Sequence, residues 1–89
     1  MKRLSNNRDL YEYLVFLAAE LKIRKLEELS EAVSFASRHA ASNISTEFLG
    51  ESRIALNRVM DEENGVLTAQ ERADLSCVVK QLNDAFNGR

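Results

Sequence analysis

The chain has 89 residues, 45% of them apolar, which suits one small domain with a single hydrophobic core. A net charge of −2, from 12 basic and 14 acidic residues, argues against a general nucleic-acid binder, which carries a basic excess. Cys77 is the only cysteine, so an intrachain disulfide is excluded, and a reducing cytoplasm is the expected compartment. The longest apolar run, YLVFLAA at 13–19, is far short of the ~20 residues that cross a bilayer. Asp9 and Glu12 stand before and inside the approach to that run, which fits a mature helix better than a secretory leader.

There is no proline, and the three glycines are isolated at 50, 65 and 88. No β-branched run alternates with polar residues, so strands are not expected. The pattern is helical nearly throughout. We read residues 1–89 as a single all-α domain, a small up-and-down bundle of four helices, with 1–6 and 87–89 as flexible ends.

The first helix is predicted over 7–23, capped by Asn6 or Asn7 with Asp9 in its first turn. Leu10, Leu14, Leu17 and Leu21 form its stripe. The second spans 25–41, with Leu26, Leu29, Val33, Ala36 and Ala40 in line. Between them lies KIRK, 22–25, with no glycine or proline. Continuing the first stripe would place Arg24 and Glu28 in the core, so the helical phase slips here. A turn is expected; a continuous bent helix would leave three helices in place of four.

The third helix opens at Ser45 as N-cap, with Glu47 near the positive end of the dipole and an Ile44–Leu49 staple. Its stripe is Phe48, Leu49, Ser52, Ala55, Leu56, Val59 and Met60. The fourth begins at Thr68, where Thr68 and Glu71 form a capping box. Leu75, Val78, Val79, Leu82 and Phe86 make its buried side, and the Asn-Gly-Arg tail suits a helix end.

The stretch ENGVLTAQE at 63–71 has the glycine and the final glutamate of a calcium loop. In that frame Met60 takes the first ligand position, and a thioether does not replace a carboxylate for a hard cation. Moving the frame to Asp61 puts Arg72 where the bidentate glutamate belongs. Asn64 and Gly65 closing one helix, and Thr68 and Glu71 opening the next, account for every residue.

Other chemistry finds few residues to carry it. His39 and Cys77 are the only histidine and thiol, too few for a zinc site and on different helices. Ala36 stands where a Glu-x-x-His metal motif would need glutamate. No glycine-rich phosphate loop is present. No enzyme, cofactor or metal is expected. A local basic cluster, Lys22, Arg24 and Lys25 with Arg53 and Arg58, offers an alternative role as a nucleic-acid-associated regulator. Acidic residues interleave with the last two.

The first two helices carry more apolar surface than one core needs. Val15, Phe16, Ala19 and Ile23 point away from the leucine stripe, and Phe35 lies opposite Leu26 and Val33. Either the bundle wraps these side chains inside, or they form an interface. We take the interface: Val15, Phe16, Ala19, Ile23 and Phe35, with His39 at the rim. That makes the chain a protein-binding module, self-associating as a homodimer or meeting another protein in a regulatory role.

Overall fold

A computed structural model describes residues 7–41 and 45–87. Four α-helices follow one another: α1 Asn7–Ile23, α2 Glu27–Arg38, α3 Ser45–Glu62 and α4 Ala69–Asn87, with a 3-10 turn at His39–Ala41 after α2. Each helix packs on the next in the chain, and the turn after α2 also touches α1 and α3. The radius of gyration, 12.0 Å, matches the about 12 Å of a folded chain this long. No strand occurs among the described residues.

The turn without a breaker has a specific origin. The amide of Leu26 donates to the Leu21 carbonyl at 2.9 Å, and that of Lys25 to Lys22 at 3.1 Å. This nested pair is a Schellman ending, which needs a left-handed residue at its corner. Lys25 supplies it, at φ 67°. Glycine usually occupies that place, so its absence hid the boundary in the sequence. The predicted start of the second helix at 25 is therefore corrected to Glu27. Its predicted end at 41 is also corrected, because the α-helix closes at Arg38 and tightens into the 3-10 turn.

At the other well-defined junction, Asn64 and Gly65 take φ 51° and 79°. The capping box follows: the Thr68 amide donates to Glu71 Oε1 at 2.9 Å, and the Glu71 amide to Thr68 Oγ1 at 3.1 Å. The structure shows the two caps read from ENGVLTAQE. Inside that turn lies a buried carboxylate that periodicity did not reveal. Glu63 accepts from the Leu67 amide at 3.3 Å and from Arg72 Nε at 3.1 Å. The Arg72 bond, with amide bonds from the turn, holds its pKa below the ordinary carboxylate range against the opposing effect of burial.

All four leucines of the first stripe are buried, as are Leu29, Val33 and Ala36 of α2. From α3 come Phe48, Ser52, Ala55, Leu56 and Val59, and from α4 Leu75, Val78, Val79 and Leu82. Leu26, Ala40, Leu49 and Met60 sit half-buried at the core margin. Tyr13, Ala18 and Leu67 join the core from outside the stripes. The Ser52 hydroxyl, buried in this company, donates to the Phe48 carbonyl at 2.7 Å. That removes the cost of an unmatched polar group. The Asn6 cap, the Ile44 staple, the Phe86 side chain and the chain ends at 1–6 and 88–89 lie outside what is described.

Candidate functional site

The short Schellman turn folds α1 and α2 into an antiparallel hairpin. Small residues let the two helices approach closely: the Ser30 hydroxyl donates to the Ala18 carbonyl across the pair at 2.7 Å. Above that seam runs a groove of ≈ 740 Å³. Ala18, Ala19 and Lys22 line it from α1, and Glu31, Phe35 and Arg38 from α2.

The aromatics left over from the sequence stripes are on the surface. Phe16 is 58% exposed, Phe35 51% and Ile23 73%. Val15 and Tyr11 are also exposed. The arrangement differs in one respect from a single patch. Ala19 and Phe35 share the groove, but Phe16 and Ile23 do not line it. At about 100° per residue, Phe16 and Ile23 lie about 160° and 140° round α1 from Ala18. They form a separate ridge on the outer shoulder of α1, with Val15 and Ala19 between ridge and groove. Sequence periodicity placed both groups away from the core but could not place α2 relative to α1.

Phe35 is held from one side. The His39 ring meets it edge-on, with centroids 4.9 Å apart, and His39 Nδ1 lies 3.2 Å from the Phe35 carbonyl oxygen. The outward face of α2 therefore reads Glu27, Glu31, Phe35, Arg38: acidic at its start, aromatic in the middle, basic at its end. The same order favours the helix dipole. Glu31 and Arg38 were not singled out from the sequence, because charges on an exposed helix face are ordinary until the groove shows what they flank.

The basic cluster separates. Arg24 is committed to carboxylates, its guanidinium gripping both oxygens of Glu71 (2.7 Å for Nη2–Oε2) and reaching Glu20 at 3.0 Å. This clamp joins the end of α1 to the start of α4. It lowers the Glu71 pKa to about 2, the Arg24 bond contributing most and the Thr68 amide next. Arg53 donates to Asn83 Oδ1 at 2.6 Å, and Arg58 pairs with Glu62 at 2.9 Å and approaches Glu28 at 3.7 Å. Of the five, Lys22 and Lys25 are exposed and have no ion-pair partner among the described residues. The five cations proposed from sequence as a phosphate-binding group are thus split between three arginines with side-chain partners and two surface lysines. The same clamp explains how Arg24, on the continuation of the leucine stripe, sits half-buried. Nearby, burial raises the pKa of the Tyr13 phenol, and Asp74 and Glu71 raise it further.

No family model, curated protein or solved structure matches this chain. No helix among the described residues is long and apolar enough to cross a membrane. The functional reading therefore rests on the hairpin's own surface.

Proposed function

We propose that this chain is a small non-catalytic protein-interaction module of the cytoplasm, acting in a regulatory role through the outer face of the α1–α2 hairpin. The observation that supports this most is the joint exposure of Val15, Phe16, Ile23 and Phe35 on a domain whose leucine and valine stripes are otherwise buried. Isolated surface apolar residues are normal, but a ridge of Phe16 and Ile23 and a groove lined by Phe35 on one two-helix hairpin support a binding surface. His39, Glu31 and Arg38 provide the polar rim that such faces carry.

The test is association measured by light scattering after size exclusion across a concentration series, with capture of partners on immobilised protein alongside. Wild type should associate, with itself or with a captured chain, and Phe16→Glu and Phe35→Glu should lose that association while keeping their helical content. Association unchanged by both substitutions, or absent by both routes, refutes the reading.

A further inference from the structure

The outer face of α2 is complementary to itself when reversed. Glu31 and Arg38 lie seven residues apart, about two turns and ~10.5 Å along the axis. Their midpoint falls between Ser34 and Phe35. A two-fold axis across α2 at that point lays a second α2 antiparallel on the first. Arg38 of each copy then meets Glu31 of the other, and both Phe35 rings lie beside the axis. A parallel arrangement would instead set Glu31 against Glu31 and Arg38 against Arg38.

We infer that the occupant of this face is a second copy of the chain, docked across α2 in this antiparallel register. The inference rests on the interaction-module reading above and names its partner. Three observations combine. Charges of opposite sign stand symmetrically about an exposed aromatic, which is what an isologous interface requires of a single surface. Phe35, the central apolar side chain, is half exposed and braced by His39, so little side-chain freedom remains to be lost on docking. The groove beside it is floored by Ala18, Ala19, Ser30 and Ser34, small residues that admit the Phe35 ring of the opposing copy.

The experiment is a charge exchange. Glu31→Arg and Arg38→Glu lie on the exposed face, so circular dichroism should show both variants folded as wild type. Wild type should dimerise by light scattering or analytical ultracentrifugation. Each variant alone places like charges opposite one another twice and should weaken self-association at least tenfold. Mixed, the two variants regain both opposite-charge pairs and should form a heterodimer near wild-type affinity. A wild type that stays monomeric at the highest concentration overturns the second-copy inference, while the broader reading is then decided by Phe35-dependent capture. A dimer sensitive to Phe35→Glu but indifferent to the charge exchanges overturns the register alone. A dimer indifferent to both overturns the register and the proposed face together.

Discussion

The decisive contrast among the phenylalanines is between Phe48 and the pair Phe16 and Phe35. Phe48 is 1% exposed and surrounded by core residues from its own and neighbouring helices. Phe48→Ala removes a buried ring and leaves a cavity, a change that costs about 3–5 kcal/mol. A domain of this size has in all roughly 4–13 kcal/mol of stability. At about 4–8 °C per kcal/mol, the melting temperature should fall by at least ~12 °C, and a marginal fold would be lost at 25 °C. Phe16 and Phe35 have less than half of their surfaces covered. Full burial of such a side chain is worth about 1.5–3 kcal/mol, so either substitution by glutamate should cost only about 1 kcal/mol. Urea and thermal unfolding followed at 222 nm measure both effects, and light scattering on the same samples reads association. If Phe16→Glu or Phe35→Glu destabilises as much as Phe48→Ala, that ring is internal, and the interface built on it fails.

Two further outcomes follow from the junctions. Lys25→Gly should stabilise the hairpin by about 0.5–1 kcal/mol, because relief of left-handed strain exceeds the added freedom of the unfolded chain. The gain from Asn64→Gly should be smaller, since asparagine adopts that conformation more readily. Chemical denaturation of both variants against wild type checks the order, and a loss of stability in Lys25→Gly would contradict the Schellman ending. In acid, Glu71 and Glu63 should set the transition. Both folded pKa values lie below the ordinary carboxylate value, so their stabilisation is present above about pH 4.5 and is lost as pH falls through the folded pKa, which for Glu71 is about 2. Glu71→Gln should flatten the fall in melting temperature over that window, and an unchanged pH profile would show that the Arg24 clamp contributes nothing.

Much of the bundle was legible because helix periodicity is local. Leu10, Leu14, Leu17 and Leu21 recur on one side of a helix whatever packs against them, and Thr68 and Glu71 cap each other within four residues. The turn at Lys25 was legible only as a slip of phase. Its left-handed corner is occupied by lysine, so the sequence carried the need for a break without its usual glycine. Glu63 and Arg24 were illegible for another reason. A carboxylate or guanidinium becomes half-buried only when a partner from elsewhere in the chain satisfies it, and Arg24 meets Glu71 across 47 positions.

The candidate site divides in the same way. Sequence alone determined that α1 and α2 have apolar residues beyond their core stripes, since angular position on a helix depends only on spacing. It also determined the acid-to-base order along α2. Tertiary structure decided that Phe16 and Phe35 stay outside, because the buried stripes of the four helices close the core without them. It decided as well that Phe35 shares its groove with Ala19 and not with Phe16. Which shoulder of a helix faces its neighbour depends on the direction in which the chain leaves the turn, and that direction is set at Lys25 by a backbone angle no hydrophobic pattern encodes.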